Sequence, residues 1–344
     1  MNPVCYTAMV TPFAEGAVDE TGIARLTEFQ AQNGITGILA VGTTGESPTL
    51  GWQEHHHVVE AYARQAKGKC LCIAGAGSNN TREALSATRE AVEAGVDGVL
   101  LVDPYYNGPS SMEIRKEYLA RVAAAHPDLS IIPYVIPGRT GAQLLPEDLA
   151  LLYRDFPNVH TVKEATGDLD NMRRTRKCCG PDFTILSGDD GLTVAMMTDP
   201  QIQAAGVISV VSNIVPRAMS DLVRLLAEKE VAAAETLAKA VEPLFGLVTV
   251  KTIEKTPHGD AVCRARNPLA LKTLMRLLGI PSGPCRPPLG KMSRAGLDVV
   301  VGIARRVQAA NPELFAPLAD FFNVDIDARL NDDSLLEGLY YPEY

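Results

Sequence analysis

The stretch His160-Thr161-Val162-Lys163-Glu164-Ala165-Thr166-Gly167-Asp168 places one lysine at the end of a short apolar strand, just before a turn that contains glycine and aspartate. A lysine among apolar neighbours loses hydration of its ammonium, so its pKa falls and part of it becomes the free amine that attacks a ketone. Lys163 is therefore a candidate Schiff-base nucleophile. The alternative is a surface lysine paired with Glu164, because most lysines are solvated charges.

The sequence on both sides of Lys163 alternates short apolar runs with longer helix-like segments, in eight pairs before about residue 228. The predicted strands cover residues 4–10, 37–41, 71–74, 98–102, 131–135, 159–163, 184–186 and 205–209. The amphipathic segments between them include residues 19–32, 81–94, 112–125 and 146–156. Such alternation is typical of a parallel sheet covered by helices. Eight units favour a closed (β/α)8 TIM barrel, and the first strand lacks the glycine-rich loop of a dinucleotide-binding fold.

Beyond Pro216 the pattern predicts helices alone, over residues 218–229, 231–253, 268–278 and 293–310. The polar segment 256–267 lacks periodicity and is predicted to be a loop. We therefore divide the chain into an α/β barrel over residues 1–229, a C-terminal helical domain over 230–310 and a C-terminal extension over 311–344. Three tyrosines near the end of the extension indicate docking on the protein's own surface, docking on a neighbouring subunit, or a frayed tail.

Composition limits the class of protein and its partners. The chain has 344 residues, which suits one barrel with an appended domain. Hydrophobic residues make up 46% and charged residues 21%, near the averages of globular proteins. The net charge of -9 argues against a nucleic-acid backbone or an anionic membrane as the main partner. No stretch reaches the ~18 apolar residues needed to span a bilayer.

The seven cysteines are odd in number and scattered along a long chain, which indicates reduced thiols in an intracellular protein. Cys70 and Cys72 point to the same face of a predicted strand, but no second pair at ligand spacing supports a zinc site. The first 24 residues contain no Lys or Arg and no long apolar core, so no secretory signal peptide is expected. These features predict a cytoplasmic protein without a bound metal.

The predicted strand ends carry polar groups that the barrel would bring together. In a barrel the carboxyl ends of all strands open onto one mouth, where active sites are built. Five exits accompany Lys163: Gly42-Thr43-Thr44-Gly45-Glu46-Ser47, Asp103-Pro104-Tyr105-Tyr106-Asn107, Tyr134-Val135-Ile136-Pro137-Gly138-Arg139-Thr140-Gly141, Ser187-Gly188-Asp189-Asp190 and Ile208-Ser209.

Each group has a use beside an iminium. Thr43 and Thr44 offer hydroxyls and amides to a small carboxylate. The phenol of Tyr134 is able to act as acid and base in turn during carbinolamine formation. The forked cation of Arg139 suits a second carboxylate. The alternatives are a simple turn at GTTG, a core aromatic at Tyr134 and a surface ion pair at Arg139.

The motifs GTTGES, PYYN, YxxPGRTG and KEATGD at these spacings resemble the dihydrodipicolinate synthase / N-acetylneuraminate lyase family of class I aldolase-like enzymes. The resemblance runs from Val4 to about Ala310. It implies a (β/α)8 barrel with a helical C-terminal domain that condenses or cleaves 2-keto acids through a lysine imine. It also implies a homotetramer or homodimer and no metal or nucleotide cofactor.

The resemblance assigns roles residue by residue. It implies that Lys163 forms the Schiff base with pyruvate and that Tyr134 transfers protons. Thr43 would link Tyr134 to Tyr106, which the adjacent subunit contributes. The resemblance further implies substrate-binding roles for Thr44, the backbone at Ile208 and Gly188, the first two holding the pyruvate carboxylate.

Arginine after the YxxP motif resembles the synthase branch of the family. Arg139 would then hold the carboxylate of L-aspartate 4-semialdehyde, because a cation at this point selects an acidic electrophile over a neutral sugar. The implied enzyme is a carbon–oxygen lyase that condenses pyruvate with this aldehyde to 4-hydroxy-tetrahydrodipicolinate, which leads into lysine biosynthesis. The alternatives are a related aldolase of the N-acetylneuraminate lyase or keto-deoxy-sugar type, and a non-catalytic sensor of small molecules.

Further positions match residues that bind lysine as a feedback inhibitor in some members of the family, namely His55, Asn79, Glu83 and Tyr105. Three features depart from the family pattern. Val135 stands where asparagine is common, the loop 256–267 is longer than usual, and the chain continues past the usual end. Val135 could change which second substrate is used, because it adjoins the catalytic tyrosine. The longer loop and the continued chain could change the oligomeric arrangement.

Overall fold

Eight parallel strands form a closed barrel in the computed structural model of the chain, which describes residues 3–343. The first strand pairs with the eighth on one side and with the second on the other, and this closes the sheet. The barrel strands are Val4–Ala8, Gly37–Ala40, Leu71–Gly75, Gly98–Val102, Ser130–Val135, Thr161–Glu164, Thr184–Ser187 and Gly206–Ser209. The predicted TIM barrel is confirmed.

The barrel strands are apolar on both faces because one face packs inside the barrel and the other packs against the surrounding helices. Alternate side chains point inward and fill the barrel, and the others point outward against the helices. The inward cluster includes Ala8, Leu39, Ile73, Leu100, Ile132, Tyr134, Leu186 and Ile208. Val135, the neighbour of Tyr134, belongs to the outer cluster instead. The side chain of Tyr134 therefore points into the barrel interior, whereas that of Val135 points toward the helices.

Helices cover the outside of the barrel and follow the strands in turn. They are Glu20–Gln32, Trp52–Ala66, Thr81–Ala94, Ser111–Glu113, the π-helical Ile114–Leu119, Ala120–Ala125, Pro137–Thr140, Pro146–Asp155, Leu169–Cys179, Thr193–Thr198 and Pro216–Ala227, with 3-10 turns at Ser47–Thr49, Asp190–Leu192 and Val211–Asn213. Several begin at a side-chain cap, as at Asp168, whose carboxylate accepts the N–H groups of Asp170 and Asn171. This cap fixes the turn directly after Lys163.

The segment after the barrel, residues 230–343, is called the C-terminal module below. Its elements are the helices Val231–Phe245, Leu269–Leu278, Arg294–Ala310, Ala316–Phe322 and Ile326–Asn331, the 3-10 turns Gly246–Val248, Pro312–Leu314 and Asp333–Leu336, and the strands Thr249–Thr256, Gly259–Arg266, Met292–Ser293 and Tyr340–Tyr341. Two further short strands, Phe13–Ala14 and Ala17–Val18, pair near the start of the chain. One apolar cluster joins the module to the barrel helices, and the division at residues 229 and 310 stays a prediction.

The predicted helix 231–253 is confirmed over Val231–Phe245 and wrong beyond it, and the predicted loop 256–267 is wrong. The helix ends at Phe245, and Thr249–Thr256 pairs antiparallel with Gly259–Arg266 in a hairpin. The β-branched run Thr249-Val250-Lys251-Thr252-Ile253 disfavours helix and suits a pleated strand. Buried Val250 and Ala265 anchor its base, while cross-strand partners Ile253 and Val262 are 67% and 69% exposed. The low hydrophobicity of this ribbon obscured its alternation.

The C-terminal extension docks on the protein's own surface, which was one of the three alternatives. Phe321 and Phe322 contact Phe29 of the helix Glu20–Gln32 at ring-centroid distances of 5.3 and 5.2 Å. The strand Tyr340–Tyr341 pairs in parallel with Met292–Ser293. Of the tyrosines noted in the sequence, Tyr344 lies outside the described residues.

No helix within residues 3–343 combines the length and the apolar character needed to cross a membrane. The same residues contain no group of three or more His, Cys, Asp or Glu placed to hold a metal ion. All seven cysteines are free, and four of them, Cys5, Cys72, Cys179 and Cys285, are buried.

Candidate active site

Lys163 lies on the sixth strand, directly opposite Tyr134 of the fifth strand in the sheet register. Its Nζ lies 4.2 Å from the centroid of the Tyr134 ring, and the residue is only 4% exposed. Burial lowers the pKa of Lys163 to about 7, the nearby Asp190 opposes this effect, and Arg139 adds to it. A large fraction of the amine is therefore unprotonated at neutral pH, as a nucleophile requires.

Gly188 leaves the space that the lysine occupies. A Cβ at this position would lie 3.1 Å from Cε of Lys163 and 2.8 Å from Cβ of Ala165. The Gly188 N–H donates to the carbonyl of Glu164 at 2.7 Å, which holds the exit of the seventh strand against that of the sixth. A side chain here would press on the amine, so glycine is required for packing. Its predicted contact with substrate stays a prediction.

Tyr134 contacts the Lys163 amine with its ring and also belongs to the cavity wall. Burial raises the pKa of its phenol to about 12, whereas Arg139 and the side chain of Thr43 stabilise the phenolate, and Asp189 opposes them. The phenol therefore stays protonated at neutral pH and has a hydroxyl neighbour in Thr43. This pair is able to pass a proton to or from a group bound at the lysine.

The cavity at the strand ends measures about 540 Å³. Its wall is formed by residues Val41, Gly42, Thr43, Ser47, Pro48, Gly75, Gly77, Leu100, Val102, Tyr105, Tyr106, Tyr134, Ile136, Arg139, Thr140 and Gly141. Lys163, Thr44, Gly188 and Ile208 are not part of this wall, and Lys163 adjoins the cavity through Tyr134. A groove of similar volume near Arg173 and Asp199 on the outer helices contains none of the predicted site residues.

The turn after the second strand is held in a strained shape. Val41 has a φ of 53°, which a β-branched residue adopts only under constraint. Glycines make room for it: a Cβ on Gly75 would lie 2.3 Å from the Val41 carbonyl oxygen, and one on Gly45 would lie 2.9 Å from its Cα. The turn carries Thr43 and Thr44 into the site.

A buried ion pair fastens the same turn to the C-terminal module. Nζ of Lys272 lies 2.5 Å from Oε1 of Glu46 and also donates to the carbonyls of Thr11 and Pro284. The two side chains are 1% and 0% exposed, so each charge depends on the other. The second oxygen of Glu46 accepts the backbone N–H of Arg286 at 2.9 Å. Sequence reasoning quoted Glu46 within GTTGES but assigned no role to Glu46 or to Lys272.

Thr44 has a partner that the sequence analysis missed. Its hydroxyl oxygen accepts a hydrogen bond of 2.9 Å from Nδ2 of Asn267, and both residues are buried. Because this bond uses a lone pair, the hydroxyl proton of Thr44 is free to donate to a carboxylate. Oδ1 of Asn267 is buried without a partner in residues 3–343. No local sequence signal points to this contact, because Asn267 lies 223 positions from Thr44 along the chain.

Asp190 is a second residue that sequence reasoning quoted without assigning a role. Its carboxylate accepts the backbone N–H groups of Val210 and Val211 at 2.9 and 3.2 Å. These lie just after Ile208, which is 1% exposed on the eighth strand. Asp190 therefore fixes the backbone beyond Ile208 and also acts electrostatically on Lys163.

Arg139 lies at the cavity mouth, on the short helix Pro137–Thr140. No carboxylate within residues 3–343 pairs with it in an ion pair. Burial lowers the pKa of the Arg139 guanidinium, Tyr134 raises it, and Arg266 of the hairpin lowers it further. Nη1 of Arg266 donates to the carbonyl oxygen of Gly138 at 3.4 Å. The Arg266 guanidinium thus lies beside the short helix that carries Arg139.

Tyr106 lies on the loop after the fourth strand and is 91% exposed. Its φ of 79° lies in the left-handed region, and its N–H donates to the carbonyl of Thr140 at 3.4 Å. Within the single chain Tyr106 belongs to the wall of the cavity. Its predicted contribution to the site of an adjacent subunit stays a prediction.

The predicted lysine-binding set is only partly brought together. Asn79 and Tyr105 line a cavity of about 310 Å³, and Tyr105 also lines the larger one. The Glu83 carboxylate accepts a hydrogen bond of 2.6 Å from the Ser78 hydroxyl. The pKa of Tyr105 is raised mainly by burial and further by the charge of Glu83. His55 is absent from this wall: it packs against Trp52 at 5.1 Å, and burial lowers its pKa to about 4.

Comparison with known proteins finds similar sequences and structures over most of the chain. The dihydrodipicolinate synthetase family matches residues 4–306 of the chain. A 4-hydroxy-tetrahydrodipicolinate synthase of Nitratidesulfovibrio vulgaris is 41% identical over 274 residues, which cover 80% of this chain and 87% of the relative. The solved 4-hydroxy-tetrahydrodipicolinate synthase of Methylacidiphilum fumariolicum SolV is 35% identical with a TM-score of 0.83. The alignment covers 92% of this chain and 100% of that one.

A second solved relative, the synthase of Cyanidioschyzon merolae with lysine bound, is 34% identical with a TM-score of 0.80. The alignment covers 90% of this chain and 97% of that one. Together with the match over residues 4–306, these similarities assign the chain to the dihydrodipicolinate synthetase family.

Proposed function

We propose that the protein is a 4-hydroxy-tetrahydrodipicolinate synthase, a Schiff-base lyase that condenses pyruvate with L-aspartate 4-semialdehyde for lysine biosynthesis. The observation that carries the proposal is the buried Lys163 amine, with a pKa of about 7, against the ring of Tyr134. The family and the named relatives support the choice of substrates.

The chemistry starts with the neutral amine of Lys163, which adds to the ketone carbon of pyruvate. The ketone oxygen takes up protons and leaves as water, and Tyr134 with Thr43 supplies and receives these protons. Loss of a methyl proton converts the iminium to an enamine, whose carbon attacks the aldehyde. The amino group of the semialdehyde then displaces Lys163 and closes the ring. The buried setting strengthens each electrostatic contact along this path.

The pyruvate carboxylate has candidate partners beside the amine. The free hydroxyl proton of Thr44, oriented by Asn267, is one donor. The backbone near Ile208, held by Asp190, is the second element proposed for this role, and Gly188 provides the space next to the lysine. We assign pyruvate binding to these groups because Gly188 adjoins Lys163 and because Thr44 and Ile208 match motif positions of the family.

Borohydride trapping tests the covalent step. Incubation with pyruvate and borohydride is expected to add a reduced pyruvate adduct to Lys163, located by mass spectrometry of peptides. Lys163→Ala removes the acceptor, and Lys255→Ala, an exposed lysine of the hairpin, serves as the control that leaves labelling unchanged. Absence of an adduct under conditions that label a known synthase would exclude both the synthase and the aldolase alternatives.

The aldehyde is tested through Arg139. We expect Arg139→Ala to reduce use of aspartate semialdehyde far more than pyruvate trapping, because the cation is placed to meet the aldehyde's carboxylate. Equal losses in both would contradict the role. Val135, which departs from the family pattern, points into the outer core, so it does not face the aldehyde directly.

Feedback by lysine is proposed for the smaller cavity at Asn79 and Tyr105, with Glu83 nearby as the acidic partner for an ammonium. Lysine is the ligand bound to the relative from Cyanidioschyzon merolae. His55 is left out of this proposed site because it is buried away from the cavity wall. Titration with lysine, with Asn79→Ala as the variant, tests the proposal through inhibition and calorimetric binding.

The remaining proposals concern assembly and setting. We propose a homo-oligomer, a tetramer or dimer, in which the exposed Tyr106 completes a neighbouring site. Sedimentation and the activity of Tyr106→Phe test this. We further propose that the enzyme works in the cytoplasm and needs no metal or nucleotide, since the lysine amine supplies the activation; full activity after dialysis against a chelator is the expected result.

A further inference from the structure

The hairpin of the C-terminal module ends at the active-site mouth. Arg266 is the last residue of its second strand, and Asn267 follows immediately. Asn267 reaches the buried hydroxyl of Thr44, and Arg266 reaches the carbonyl of Gly138, the neighbour of Arg139. Consecutive residues of the hairpin end thus contact two turns whose neighbouring residues, Thr43 and Arg139, line the cavity.

The position of Arg266 is electrostatically unusual. Neither Arg266 nor Arg139 forms an ion pair with an acid anywhere in residues 3–343, although the chain carries a net charge of -9. Within residues 3–343 the hydrogen bond of the Arg266 side chain is long, 3.4 Å, and goes to the neutral carbonyl of Gly138. Its cross-strand partner Thr249 is neutral, so no carboxylate is supplied from the adjacent strand either.

The next pair on the same outward face of the hairpin is also positively charged but lies two residues farther from the mouth. Lys251 and Arg264 are directly opposite each other and are both exposed. Like charges at such cross-strand positions destabilise a sheet. Arg264 therefore separates a general effect of hairpin charge from a contact of Arg266 with the aldehyde.

We propose that Arg266 is a specificity-determining residue, which together with Arg139 binds the carboxylate of the incoming aldehyde at the cavity mouth. Two forked donors are able to meet both oxygens of one carboxylate, and the anion removes the repulsion between the guanidinium groups. The effect of Arg266 on the pKa of Arg139 agrees with this proximity. The proposal deepens the proposed synthase function and rests on it.

The consequence is a division of the substrate sites between parts of the chain. Pyruvate meets groups of the barrel strands, whereas the acidic aldehyde meets one cation from the barrel and one from the hairpin. A neutral sugar aldehyde would leave both guanidinium groups without an anion, which disfavours it more strongly than Arg139 alone does.

The test compares Arg266→Ala and Arg266→Lys with Arg264→Ala in the full-length enzyme. Arg264 is the matched control because it lies on the same face of the same strand, two residues farther from the mouth. Three quantities are measured for each: the rate of pyruvate trapping by borohydride, kcat/KM for aspartate semialdehyde, and the inhibition constant of succinic semialdehyde relative to that of butanal. Succinic semialdehyde keeps the carboxylate, and butanal lacks it.

We expect Arg266→Ala to lower kcat/KM for aspartate semialdehyde by about 10- to 100-fold, mainly through KM, as loss of a charge-assisted hydrogen bond predicts. Pyruvate trapping stays within about twofold, and the preference for succinic semialdehyde over butanal falls in parallel. Arg266→Lys recovers part of the loss because the charge remains. Arg264→Ala behaves like the wild type.

Other results would overturn the inference. An unchanged kcat/KM and aldehyde preference in Arg266→Ala would show that the second cation does not meet substrate. Equal losses in pyruvate trapping and aldehyde use would assign Arg266 to the structure of the wall instead. If the wild-type enzyme fails to trap pyruvate, the proposed function itself falls. If it traps pyruvate but prefers another aldehyde, Arg266→Ala must still reduce the preference for the carboxylated inhibitor.

Discussion

At the scale of single residues, the protonation of Lys163 sets the rate of imine formation. A pKa of about 7 means that the free-amine fraction rises from about one tenth at pH 6 to about nine tenths at pH 8. We therefore expect the second-order rate of borohydride trapping with pyruvate to rise about tenfold over this range. A wild-type midpoint near the ordinary lysine value of 10.5 would contradict the assigned environment.

The effect of Asp190 on the pKa of Lys163 can be tested with the same trapping measurement. Its carboxylate stabilises the ammonium and raises the pKa of Lys163, so Asp190→Asn is expected to move the midpoint of the trapping profile to lower pH, by about one pH unit. Asparagine keeps an oxygen that accepts the N–H groups of Val210 and Val211. Asp189→Asn is the control: this neighbour is exposed and does not act on the lysine. A shift of equal size in both variants would exclude a specific effect of Asp190.

Asn267 is the residue whose role depends most on tertiary structure. Asn267→Ala removes the donor to Thr44, and we expect KM for pyruvate to rise about 3- to 20-fold with a smaller change in kcat, because a neutral hydrogen bond that orients a ligand group is lost. A Thr44→Val, Asn267→Ala double variant is expected to lose little more than Thr44→Val alone. Additive losses would show that Asn267 acts independently of Thr44.

The sequence predicts the centre of the site better than its supports. Lys163 and Tyr134 lie near the carboxyl ends of two strands and Thr43 follows a third, and the parallel topology of a barrel is enough to bring these strand ends together. Asn267 lies 223 positions from Thr44 along the chain. No local pattern connects two residues so far apart, so this contact appears only once the C-terminal module is packed against the barrel.

At the scale of elements, strands are predicted well where burial on both faces makes them continuously apolar, as in Gly98–Val102. The hairpin fails this test. Few residues along Thr249–Thr256 and Gly259–Arg266 are buried, and many are lysine, arginine or threonine. The sequence of the hairpin therefore looks like that of an irregular polar loop. The pairing of the two strands with each other, rather than burial, holds this element.

The ion pair between Glu46 and Lys272 joins two elements and is expected to stabilise both. Lys272→Met leaves Glu46 buried without a counter-charge and is predicted to cost about 3 to 5 kcal/mol in the free energy of unfolding. The Glu46→Gln, Lys272→Met double variant removes both charges and should recover a substantial part of the loss. Urea denaturation measures both changes.

The control for this prediction is Lys255→Met, which breaks the exposed pair between Lys255 and Asp260 in the hairpin. We expect a change of less than about 1 kcal/mol, because water screens an exposed pair. If the buried and exposed pairs cost the same, or if the double variant is less stable than Lys272→Met, the turn carrying Thr43 and Thr44 is not held by this charge pair.

At the scale of the whole molecule, the C-terminal extension acts as a clamp on the outside of the fold. The family match ends at residue 306, inside the helix Arg294–Ala310, and the segment beyond it returns to contact the helix Glu20–Gln32. Arg329 donates to the carbonyl of Leu277 at 2.6 Å, which ties the extension to the helix that carries Lys272. The extension thus joins the two ends of the chain without lining the catalytic cavity.

Phe322→Ala tests this clamp. Phe322 is 7% exposed and packs edge to face on Phe29 at 5.2 Å, so truncation is expected to lower the free energy of unfolding by about 2 to 4 kcal/mol. Pyruvate trapping by the folded variant should stay at the wild-type rate, because the site is formed by other elements. Asp320→Ala, an exposed change on the same helix, should alter stability by less than about 0.5 kcal/mol. If Phe322→Ala is as stable as Asp320→Ala, the extension does not support the fold, and if trapping falls while the fold is intact, it is coupled to the site.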